Sequence, residues 1–239
     1  MMAWYPSPKR LNEYTTKHIN LKHRYTLLEE RWNAYTHIVG AVGSGVVCLI
    51  FLIQTIQHGN ALDILSIALL LLGVVSSYVF SAMYHGLPAR WPLKEKSRKF
   101  DHASIFWHIA ACYSPVTLIA FLRGGELAWG WGIFAFCWLF ATVGTIRLLH
   151  KVKEHSNIET ICYVLMGLTI VAAIKPFYDI VGITTLIWVI LEGIAYITGA
   201  VLYSINKVKY MHTVFHIFIM LGDAFHFVAV GRIIEQMIG

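Results

Sequence analysis

The sequence predicts an all-α polytopic membrane protein: a bundle of seven transmembrane helices, N-terminus cytoplasmic and C-terminus extracytoplasmic. Three observations carry that expectation. Apolar and aromatic residues make up 57% of the 239 residues, charged residues only 13%, and the mean hydropathy is +0.62; a soluble domain holds about 25% charged residues. The apolar residues gather in seven runs, each near the roughly 20 residues a helix needs to cross about 30 Å of hydrocarbon. The basic residues fall between those runs, sixteen on one side of the predicted membrane and three on the other.

In chain order, residues 1–32 are polar and mixed in charge and lack the apolar core of a secretory signal. They read as a cytoplasmic segment, partly helical from Leu21 to Trp32, ahead of a transmembrane domain over 33–239. The runs are Asn33 to Gln57, Leu62 to His85, Ala103 to Leu122, Leu127 to Ile146, Ile158 to Ile174, Val181 to Ile205 and Met211 to Val230. The fifth is the shortest and ends at Lys175-Pro176. It is kept because without it Lys151 and Lys153 would face the opposite side from Lys207 and Lys209. Barrel strands are excluded, since they are about 10 residues long with period-2 alternation. Basic residues concentrate on cytoplasmic loops, and this sets the orientation. The net charge of +6 is thus explained by the membrane rather than by nucleic acid. Cys48, Cys112, Cys137 and Cys162 sit in apolar runs with no CxxC pair, which argues against a disulfide framework and against a thiolate metal site.

Ionisable side chains inside a span are costly, about 2.5–3.5 kcal/mol at mid-bilayer on insertion scales. His37, His85, His108, His212, His216 and His226 all fall within the runs. The predicted directions place Ser81 and His85 at the cytoplasmic end of the second run, Asp101 at the entrance to the third, and His212 and His216 in the first turns of the seventh. Glu30, Asn33 and His37 open the first run at the same depth. His212 and His216 are i, i+4, on one helix face and about 6 Å apart along the axis, so both imidazoles can reach one metal ion. Three neutral imidazoles with an open position form a donor set suited to catalytic zinc. His226 lies ten residues beyond His216, about 15 Å along the axis, too far to join. His37 reads as a hydrogen-bonding partner, and His102 and His108 as structural. Glu192 and Asp223 face the same membrane penalty; Asp223 lies near the His216 face and is expected to line a polar cavity leading inward.

The residues also carry a resemblance. Glu30-x2-Asn33-x3-His37, Ser81-x2-Tyr84-His85, Asp101-His102-x2-Ile105 and Tyr113-Ser114-Pro115 occur in that order. Gly193-x2-Tyr196-x2-Gly199-Ala200-x2-Tyr203 and His212-x3-His216 with His226-Phe227 follow. With these motifs the chain resembles hemolysin III-type membrane proteins, the bacterial branch of the progestin and adipoQ receptor family. The resemblance covers nearly the whole chain. It implies a seven-helix fold with zinc near the cytoplasmic side, His85, His212 and His216 as ligands, Asp101 holding the attacking water and Ser81 close by. Glu192 and Asp223 depart from the pattern, standing where a glycine and a small residue are expected.

The function expected first is zinc-dependent hydrolysis of a membrane lipid amide or ester at the inner membrane. Asp101 would then be the base, and Ser81 or Tyr84 the donor to the developing oxyanion. A receptor-like sensor of membrane state, with zinc as a structural clasp, uses the same three histidines. Cytolysis ranks below both, because seven apolar spans describe a resident bundle rather than a secreted toxin. A channel or transporter through Glu192 and Asp223 stays open, although no inverted repeats are visible.

Overall fold

The structure, a computed structural model, describes residues 25–88, 91–150, 157–205 and 208–239. Residues 1–24 of the predicted N-terminal segment lie outside these, as do the basic residues Arg90, Lys151, Lys153 and Lys207.

Every regular element among the described residues is helical. Helix α1, Leu27–His58, starts six residues before the first apolar run. Thr26 caps it in a reciprocal box: the Glu29 N–H donates to the Thr26 hydroxyl while the Glu29 carboxylate accepts from the Thr26 N–H. Helix α2, Ala61–Gly86, opens on the same device built from Asn60 and Asp63. Helix α3, Pro92–Pro115, begins on a proline, whose missing N–H is no loss in a first turn. Pro115 does not end the chain's helical course, which continues as a π-helical turn over Val116–Phe121. There the Thr117 hydroxyl donates to the carbonyls of Tyr113 and Ser114. Helix α4 is Leu127–His150. Helix α5, Asn157–Gly167, runs through a 3₁₀ stretch, Leu168–Ala173, into α6, Ile174–Ser204. Helix α7 is Met211–Met237.

Six of these helical runs are long and apolar enough to cross a membrane, against the seven separate runs expected from the sequence. The predicted fifth and sixth runs fall within one 47-residue run, Ile158–Ser204. Lys175-Pro176 reads as a helix end in sequence. In the structure, however, Pro176 occupies the first turn of α6, where proline is tolerated. The break comes later, at Gly182, whose φ of 73° and ψ of 176° are non-helical.

Burial follows the membrane pattern. Helix α3 and its π-helical continuation run through the middle, with Phe106, Ala110, Ala111 and Ile119 buried. On the outer helices large apolar side chains point outward, with Leu72 67% and Leu139 65% exposed. Such faces suit hydrocarbon as solvent and would be a liability in water. At one end Arg123 forms an ion pair with Asp63 and donates to the Met237 carbonyl at 2.9 Å, tying the starts and ends of α2, α3 and α7 together. His85, His212 and His216 lie at the other end.

Candidate metal centre

Two helices bring His85, His212 and His216 together. His85 is in the last turn of α2, and His212 and His216 are in the first turns of α7. Their ligand atoms all lie within 4.8 Å of one another. His212 Nε2 is 3.1 Å from His85 Nε2 and 3.0 Å from His216 Nε2. A tetrahedral zinc at about 2.0–2.1 Å from each nitrogen would space them about 3.3 Å apart, so the donor set fits such an ion.

The partners of the outer nitrogens decide what the inner ones offer. His85 Nδ1 is 2.6 Å from the Glu30 carboxylate, which can only accept when ionised, so Nδ1 carries the proton and Nε2 presents a lone pair. His216 Nδ1 is 3.2 Å from the Thr36 hydroxyl. That hydroxyl already donates to the Trp32 and Asn33 carbonyls at 3.0 and 2.9 Å, so it accepts from His216 and again leaves Nε2 as a lone pair. Two lone pairs therefore flank His212 Nε2, which has at most one proton to give when neutral. A cation resolves the conflict.

Helix α1 supplies the support. Glu30 also accepts from Lys94 at 2.9 Å, and the Lys94 ammonium sits 4.5 Å from the Tyr84 ring centre. The Tyr84 ring in turn packs against His85 at 4.7 Å. The Tyr25 ring stacks on His212 at 4.9 Å. Glu29 accepts from the N–H of Tyr210, the left-handed residue that precedes α7, and Asn33 accepts from the Thr213 hydroxyl at 2.5 Å. The start of α7 is thereby fixed to the start of α1.

The remaining predicted residues take different places. His37 lies with its ring 3.8 Å from that of His216, and both its nitrogens are buried without a hydrogen-bond partner among the described residues. Ser81 is buried one turn before His85. Asp101 is half-buried on α3 and does not belong to the group of mutually close donor atoms. Asp223 is buried deeper on α7, where it accepts from Tyr78 at 2.5 Å, from His108 at 2.9 Å and from Tyr196. Glu192 pairs with His226 at 3.0 Å. Both acidic residues that depart from the expected pattern thus have a histidine partner.

Tyr25, Thr36 and Lys94 escaped the sequence reading. The Glu30, Asn33 and His37 stripe marks the face of α1 that meets α7, and Thr36 lies beside it, but a threonine in an apolar run gives no signal of its own.

Comparison with known proteins identifies the family. Residues 25–227 match the sequence model of a family described as Haemolysin-III related. Hemolysin-3 of Bacillus cereus is 32% identical over 203 residues, covering 84% of this chain and 90% of the relative. The Hemolysin-3 homolog of Bacillus subtilis strain 168 is 28% identical over 206 residues, covering 86% and 94%. The matched region holds all three clustered histidines, Glu30 and Asp101, and the chain belongs to the Haemolysin-III related family.

Proposed function

We propose that this multi-pass membrane protein is a zinc-dependent hydrolase of a lipid amide or ester, resident in the inner membrane with the metal near the cytoplasmic face. The observation that carries the reading is the convergence of three imidazole nitrogens, two of them held as lone-pair donors by Glu30 and Thr36. Zinc bound there supplies a Lewis acid that polarises a carbonyl and makes water acidic near neutral pH. His85, His212 and His216 hold the ion. Asp101, within the first turns of α3 that follow the predicted cytoplasmic loop, takes the proton from the attacking water. The Tyr84 hydroxyl and Ser81 donate to the oxygen on which negative charge develops. Exposed apolar side chains around the bundle leave the substrate's chains in lipid.

The same reading includes seven crossings. The run Ile158–Ser204 has 47 residues, about 70 Å of helix at 1.5 Å per residue, more than twice the hydrocarbon thickness. A reversal near Gly182, where the backbone is kinked, would divide it into two spans and set the N-terminus and the C-terminus on opposite sides. The distribution of basic residues favours a cytoplasmic N-terminus.

A second reading rests on a specific observation: Glu30, His85, His212 and His216 link α1, α2 and α7, so a bound ion would also clasp the bundle of a membrane-state sensor. Asp101→Asn separates the two. In a hydrolase the variant keeps its zinc and loses lipid-amide or lipid-ester turnover by about 10²–10⁴-fold. Full turnover in a zinc-replete variant would contradict the catalytic assignment and leave the clasp.

A further inference from the structure

Two helical turns beyond His216 on α7, about 10 Å further along its axis, lies a second convergence of donor atoms. His108 and Cys112 are i, i+4 on α3, as His212 and His216 are on α7, and Asp223 faces them. The imidazole nitrogen, thiol sulfur and carboxylate oxygen all lie within 4.8 Å of one another, and all three residues are buried. The carboxylate is held from behind. Tyr78 and Tyr196 donate their hydroxyls to Asp223, and each ring lies against a glycine. A Cβ at Gly40 would stand 2.5 Å from the Tyr78 ring, and one at Gly222 would stand 2.3 Å from the Tyr196 ring. Glycines at these positions therefore seat the two rings that fix Asp223. Hydrogen-bonded support of a ligating carboxylate is a recurring feature of built metal sites.

Charge and donor type point the same way. A thiolate, a carboxylate and a neutral imidazole carry a charge of −2 between them and cancel a divalent cation, so the loaded site is neutral at a depth where net charge is penalised. A sulfur, nitrogen and oxygen set suits zinc or cobalt and disfavours magnesium and calcium, which prefer oxygen alone. We propose that His108, Cys112 and Asp223 form a second, thiolate-containing site for a divalent transition metal, joining α3 to α7 in the interior of the bundle. Binding releases one proton, that of the Cys112 thiol, while neutral His108 turns its lone pair to the metal and keeps its proton on the other ring nitrogen, and no oxidation state changes. Sequence spacing argued against a thiolate site because the ligands come from two helices more than a hundred positions apart. No CxxC pair is needed.

Cobalt substitution tests the site independently of the three-histidine centre, which contains no sulfur. The full-length protein, purified in detergent, is stripped with a chelator and titrated with cobalt(II). The wild type is expected to take up two equivalents and to show a near-ultraviolet thiolate-to-cobalt charge-transfer band. His212→Ala combined with His216→Ala is expected to keep that band. Cys112→Ser is expected to lose the band and one equivalent while eluting as a monodisperse protein. Absence of the band from folded wild type at saturation would overturn the proposal. So would a band that survives Cys112→Ser, since another cysteine would then be its source. If Cys112→Ser fails to fold, the wild-type spectrum and Asp223→Asn, which should lose the same equivalent, still decide the matter.

Discussion

Each histidine of the candidate metal centre contacts a residue outside the donor set: His85 meets Glu30, His216 meets Thr36 and His212 meets Tyr25. Glu30 fixes the His85 ring through a 2.6 Å contact and is itself held by Lys94. Removing such a support costs about 10–100-fold in metal affinity. Glu30→Gln is therefore expected to weaken zinc binding within that range in a chelator competition, with the helical spectrum unchanged; equal affinity would show that the carboxylate does not orient the ligand. The three histidines were legible because imidazoles are rare at membrane depth and because i, i+4 spacing places two on one face. Glu30 was legible as a polar residue at the same depth, but not as the partner of His85, since the two lie 55 positions apart. Tyr25 precedes every apolar run, and nothing in its neighbourhood announces a ring stacked on His212. Asp223 stood out for its charge, yet the three helices that supply its partners could be found only in three dimensions.

At the level of elements, apolar run length located the helices and missed their irregularities. Pro176 was the misleading residue, whereas the third apolar run passes through Pro115 without a break. Pro115 leads into a π-helical turn, and Pro176 lies inside the first turn of α6, because in both places the missing N–H is tolerated locally. The true discontinuity is a glycine with a positive φ, and glycine inside an apolar run is too common to mark a break. At φ 73° and ψ 176°, Gly182 occupies a region essentially reserved for glycine. Gly182→Ala is expected to destabilise the bundle by about 1–3 kcal/mol, visible as a lower melting temperature in detergent. An unchanged melting temperature would mean that the chain relaxes there without loss.

For the whole molecule, the bundle has two dissimilar ends: the Arg123–Asp63 pair with the Met237 carbonyl at one, and the histidines with Glu30 and Lys94 at the other. The basic residues predict that the histidine end faces the cytoplasm. A fluorescent reporter that folds only in the cytoplasm should be active before Met1, and alkaline phosphatase should be active after Gly239; the reverse pattern would move the metal centre to the outer face. The central claim is that His85, His212 and His216 hold a metal ion. Its most direct test is the zinc content of purified wild type beside the His212→Ala, His216→Ala double variant. The account predicts that the double variant loses one equivalent of zinc per chain relative to wild type. A folded double variant with the full wild-type zinc content would contradict it.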